Sequence, residues 1–344
     1  MLSERDVYRV CRIPTLVGAI TGFLLLSAPT AVLFALGIFG AVLHAGSVTI
    51  GAALLVVTVG VAVGVQYEWR FLWGRFEWPP IDLAEALQIG AAILGGTLLT
   101  LAGAVELGLS PIVAAGIVGI AAAVVVPDQA VPAYCGAFVG MTSPDLFASY
   151  WHATAAGLVA SVVFLVAQPV FHGIGGKLGT TAFVGATAIV VATAGTFESV
   201  ALPGPGAVAV IVGYAIVGAV ATFALHARFD RSPVFASGVV GAIGGVVLPL
   251  VHGEFGGLIA AAVFAASFAG MTAVNRIPDE RWIALAGLLV GLVVVYTGPY
   301  LGGSGGKLGT IAFGSCLAVH GLLRTAHIVR LRVRVEEFRR MDTT

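Results

Sequence analysis

Long apolar runs alternate along this chain with short stretches that hold its charges, prolines and many of its glycines. A helix needs about 20 apolar residues to cross a bilayer. Runs of that kind fall near 15–40, 46–66, 84–105, 109–127, 129–143, 146–169, 178–197, 206–226, 233–251, 256–274, 282–299 and 308–327. The first is overlong, with Pro29 as a candidate kink, and the fifth is short. No two-residue alternation is sustained, so the runs predict helices rather than the strands of a barrel.

Composition strengthens that reading. Of 344 residues, 59% are hydrophobic and only 10% charged, with 47 glycines besides. Soluble domains carry about 25% charged residues, and no soluble core could hide this much apolar surface. The expected fold is therefore an all-α polytopic membrane protein of about twelve spans, with membrane lipid as its surroundings. A net charge of zero implies no attraction to nucleic acid. Cys11, Cys135 and Cys316 are scattered without ligand spacing, so neither a metal nor another cofactor is expected. At the N-terminus a basic stretch precedes the first run, as in a signal peptide. The run continues past Ala31, however, which favours an uncleaved span.

The last ten runs contain a repeat. Ser110-Pro111 through Gly119 matches Ser232-Pro233 through Gly241, and each block leads to a proline, Pro127 or Pro249. Phe138-x-Gly140-Met141-Thr142 then matches Phe268-x-Gly270-Met271-Thr272, eight residues later in the second copy. The chain divides accordingly. Residues 1–80 hold two extra helices and a Trp/Arg segment, Tyr67–Pro80, expected at the membrane surface. Residues 81–200 form repeat one, 201–328 repeat two, and 329–344 a basic tail. Five spans per copy invert the second relative to the first.

Arginine placement tests this independently, because cytoplasmic loops collect Lys and Arg. Arg5 to Arg12, Arg70 and Arg75, Arg228 and Arg231, Arg276 and Arg281, and Arg324 to Arg340 are separated by even numbers of spans. All would then face one side of a plasma membrane, with both termini cytoplasmic. Lys307 breaks the pattern and falls on the outer side.

Lys307 and Lys177 are the only lysines, against 15 arginines, and each lies in Gly-Gly-Lys-Leu-Gly-Thr. Arginine and lysine differ in geometry and hydration, so this restriction points to chemistry. Glycines let backbone N–H groups approach an ion, a new helix begins just afterwards, and the ammonium adds charge of the same sign. The expected anion site comprises Gly175, Gly176, Lys177, Gly179 and Thr180 with Gly305, Gly306, Lys307, Gly309 and Thr310. The alternative is a pair of tight turns with snorkelling lysines. A nucleotide-binding P-loop is excluded: Phe171 replaces its first glycine, and Leu178 and Leu308 replace its hydroxyl residue.

Thr142 and Thr272 follow short or Gly/Pro-interrupted segments, the pattern that marks a transport pathway, with a tilted, protein-enclosed helix ending at Ser143-Pro144 as the alternative. His152 and His320 lie inside spans and are candidate proton-relay groups, with an interhelical hydrogen bond as the plain alternative. No nucleophile–base constellation appears, so no enzyme is expected. The leading expectation is a secondary transporter for a small anionic solute. The alternatives are a channel on the same inverted-repeat pore and a non-catalytic membrane subunit. The first two spans are candidates for a scaffold or a homo-oligomer contact.

Overall fold

The computed structural model of the chain describes residues 4–74 and 82–341. Among these residues there is no strand, and twelve α-helices follow one another. The N-terminal pair is α1 (Glu4–Phe39) and α2 (Val48–Gly74). The next five are α3 (Leu83–Val105), α4 (Pro111–Val125), α5 (Ala130–Gly140), α6 (Tyr150–Ala167) and α7 (Lys177–Ala192). The last five are α8 (Pro205–Ala227), α9 (Pro233–His252), α10 (Gly256–Gly270), α11 (Glu280–Tyr296) and α12 (Lys307–Met341).

A helix lies on each apolar run expected from the sequence, but the helices differ in reach. Seven segments are long and apolar enough to cross a membrane, the longest running through α9 and α10 from Pro233 to Gly270. By contrast α4 has 15 residues, α5 has 11 and α7 has 16. At 1.5 Å per residue α5 spans only about 17 Å. α1 runs through Pro29 and closes with a π-helical turn at Gly40–His44. Of the expected surface segment, residues 75–80 lie outside the described residues, while Tyr67–Gly74 simply continue α2. The basic tail begins as a continuation of α12 rather than as a separate element.

Local chemistry explains several boundaries. Ser110 and Ser232 are N-caps, their hydroxyls accepting from the N–H of Val113 and Phe235, with proline at the first helical position. A missing N–H costs nothing there, and φ is already set. The eight additional residues of the second copy lengthen α9 to 20 residues against 15 in α4, and α10 to 15 against 11 in α5.

Packing repeats itself. α3 lies on α5 and α6 as α8 lies on α10 and α11, and the two sets meet where α4 packs on α9 and α7 on α12. α1 and α2 lie against α6, α7 and α12. The close approach of α2 to α12 runs through Gly60 and Gly64, where an added methyl would strike Ala318 and Leu317. Small residues let helix backbones approach within dispersion contact, the usual cohesion between helices in lipid.

Candidate functional site

The chain takes the same path into α7 and into α12. After α6 it passes Phe171, Gly173 and Gly176 at φ 53°, 75° and 82°. After α11 it passes Leu301, Gly303 and Gly306 at 53°, 74° and 82°. Gly176 and Gly306 are the residues just before the new helices, in left-handed conformation. A Cβ at Gly176 would also collide with the backbone of Gly309 and Phe313, and one at Gly306 with Gly179 and Phe183. Only glycine meets both demands.

Each lysine opens its helix and folds its side chain back to the helix before. Lys177 Nζ donates to the carbonyls of Gln168 and Val170 at 3.1 and 2.6 Å. Lys307 Nζ donates to those of Thr297 and Tyr300 at 2.8 and 2.5 Å. These carbonyls lie just past the ends of α6 and α11, where a helix leaves its acceptors unpaired and its dipole negative. An ammonium suits the place because it is compact and can point several N–H bonds at converging carbonyls. Two of its three protons are used, which leaves one N–H on each lysine.

The two glycine loops are also sewn to the opposite copy. Gly175 N–H donates to Thr272 Oγ1 at 3.0 Å, and Gly305 N–H donates to Thr142 Oγ1 at 3.1 Å. Ala273 N–H donates to Gly173 O at 2.9 Å, and Ser143 N–H to Gly303 O at 2.8 Å. Thr142 and Thr272 thus hold the loops, and neither lines the cavities described below. Thr180 and Thr310 are fully buried and donate to the carbonyls of Gly176 and Gly306 within their own helices. Gly179 and Gly309 meet where α7 crosses α12, so that a Cβ on either would stand 2.5 Å from the other's Cα.

Two cavities flank this crossing. One, of about 480 Å³, is bordered by Gly173 to Leu178 and reaches exposed residues at Pro127, His172 and Ser232. The other, of about 230 Å³, is bordered by Gly302 to Gly309 and reaches an exposed residue at Val200. Both end on the same two rings, Phe138 and Phe268, each 2% exposed. Their centroids are 4.6 Å apart, and Phe264 and Tyr134 pack behind them. No carboxylate borders either cavity, and the one lysine or arginine bordering each is the lysine of its loop. The sequence carries both phenylalanines in matched blocks, without a side-chain chemistry that assigns them a role. Their position at the head of the matched Phe-x-Gly-Met-Thr was the available signal.

The two intramembrane histidines do not share a site. His152 Nδ1, on α6, is buried without a hydrogen-bond partner. His320, on α12, places Nδ1 3.0 Å from Arg276 O and Nε2 3.5 Å from Glu68 Oε1. Glu68 in turn receives Arg276 Nη1 at 2.6 Å and Nη2 at 3.3 Å, and Arg276 Nε donates to His172 O at 2.8 Å. Glu68 and His320 are buried, and a two-pronged guanidinium–carboxylate pair is the arrangement that offsets such desolvation best. The cluster ties α2 to the second copy and to the loop before Lys177. Glu68, assigned by sequence to a surface segment, belongs instead to this interior contact.

Described residues that are helical without strands, with seven segments among them long and apolar enough to cross a membrane, have the build of a polytopic membrane protein. No protein-family model, curated protein or solved structure matches the chain.

Proposed function

We propose that this protein moves a small anionic solute across a membrane, along a passage between two inverted five-helix copies. The observation that carries the reading is the pair of cavities that converge on Phe138 and Phe268, each bordered by one matched glycine–lysine loop. The inverted arrangement draws support from reciprocity: the bonds of Gly175 to Thr272 and of Ala273 to Gly173 have counterparts in those of Gly305 to Thr142 and of Ser143 to Gly303. In this reading, which the arginine placement supports, the loops enter from opposite faces of a plasma membrane and both termini are cytoplasmic. Loops that enter from opposite faces and touch at Gly179 and Gly309 must meet inside the bilayer, as re-entrant segments do when they line a cavity.

The sign of the solute follows from the lining. Each cavity has an ammonium with one N–H to spare, and no carboxylate. Gly175, Gly176, Gly305, Gly306 and Gly309 border the same cavities with bare backbone. Thr142, Thr272, Thr180 and Thr310 contribute by construction, because their hydroxyls hold the loops and helix starts. Conversion of Lys177 and Lys307 together to Met, in protein that still inserts, is expected to abolish anion uptake into liposomes. Unchanged uptake would refute the role of the lysines.

A channel is the second reading. One feature favours it: both cavities are bordered by the same two rings, Phe138 and Phe268, and a channel needs only side-chain movement at such a shared border. Counterflow separates the mechanisms, since a carrier exchanges labelled solute against a gradient and a channel does not.

A further inference from the structure

We infer that the passage selects monovalent, weakly hydrated anions over divalent oxyanions, and that Phe138 and Phe268 set this selectivity. The inference rests on the transport reading above and adds the class of anion to it. Between the cavities a solute meets two phenyl rings, with Phe264 and Tyr134 behind them, and no charged residue. An ion must shed most of its water to pass such a constriction. The self-energy of an ion in a poor dielectric rises with the square of its charge, so a divalent anion costs roughly four times as much as a monovalent one of equal size.

What the protein returns does not rise in proportion. Each inner chamber has one ammonium, and two of its three protons are committed to carbonyls. One positive charge and one N–H balance a monovalent anion and leave a divalent one half neutralised. The ring edges carry partial positive charge and favour an anion with diffuse charge. Recognition of sulfate or phosphate in a buried site depends instead on several charge-assisted donors or a guanidinium fork. Arg276, which packs beside Gly173 of the loop bordering cavity one, is already committed to Glu68 and to His172 O.

The test uses the full chain in liposomes with a potassium ionophore, so that anion entry is read as swelling by light scattering. Nitrate, thiocyanate, sulfate and the neutral solute urea are offered in separate runs against protein-free vesicles. Nitrate and thiocyanate are expected to enter at least about tenfold faster than sulfate, a difference of about 1.4 kcal/mol or more. Phe268→Ala is expected to shrink that ratio. If this variant does not elute as a single folded species, Phe268→Leu, which keeps most of the volume without the ring, takes its place. Sulfate entry equal to nitrate would overturn the selectivity and leave transport standing. Urea entry without any anion entry would overturn the anionic substrate, and no entry of any of the four would overturn the passage itself. A ratio unchanged in both phenylalanine variants would remove the rings from the mechanism.

Discussion

Phe138 and Phe268 are tilted against one another with centroids 4.6 Å apart and an interplanar angle of 52°, and both rings border each of the two cavities. Four helices lie between them in sequence, yet each heads the same Phe-x-Gly-Met-Thr block. Conversion of either to Ala should raise solute flux by opening the partition. It should also cost about 3–5 kcal/mol of stability, the usual range for a buried aromatic. Flux into liposomes and thermal unfolding in detergent measure the two effects, and lower flux in both variants would exclude the rings as a barrier.

Gly179 and Gly309 touch Cα to Cα, and a methyl on either would approach the other at 2.5 Å. Gly179→Ala and Gly309→Ala should therefore each lower the melting temperature, by overpacking worth roughly 1–3 kcal/mol. Gly204→Ala is the control, since open space surrounds that position. Equal melting temperatures for all three would show that the helices part easily at their crossing.

Thr142 and Thr272 perform the same stitch in opposite directions. Thr142→Val and Thr272→Val keep the shape and leave the N–H of Gly305 or Gly175 buried without a partner. Each should cost about 1–3 kcal/mol, and the two losses should be similar. Hydrogen exchange confined to the loop opposite the substituted threonine would confirm the direction of each bond.

Glu68 and Arg276 form a buried pair, so removal of one partner strands the other. Arg276→Met alone should destabilise by about 3–5 kcal/mol, whereas Glu68→Leu with Arg276→Met should recover much of that loss. Additive losses in this double-mutant cycle would show that the two charges act independently.

The helices were readable because a bilayer demands long apolar runs, and every such run in this chain became a helix. The starts of α4 and α9 were equally readable from Ser110-Pro111 and Ser232-Pro233, since capping is local chemistry that a short motif specifies. The lysine hexapeptides were recognised as a matched pair and a helix start. Their main contacts were not, because Lys177 and Lys307 reach back to carbonyls that carry no side-chain signature. Glu68 sat among tryptophans and arginines that resemble a surface belt, and its partners lie more than 200 residues away at Arg276 and His320.

Hydropathy, local capping and an internal match thus define the helices and their pairing into copies, since each depends on neighbours a few residues apart or on direct comparison of two segments. Which hydroxyl holds which loop, which carbonyls take up the ammonium protons and which two rings face one another depend on contacts between segments far apart in the chain. Those contacts arise when helices far apart in the chain pack on one another, and residue spacing along the sequence carries no measure of that packing.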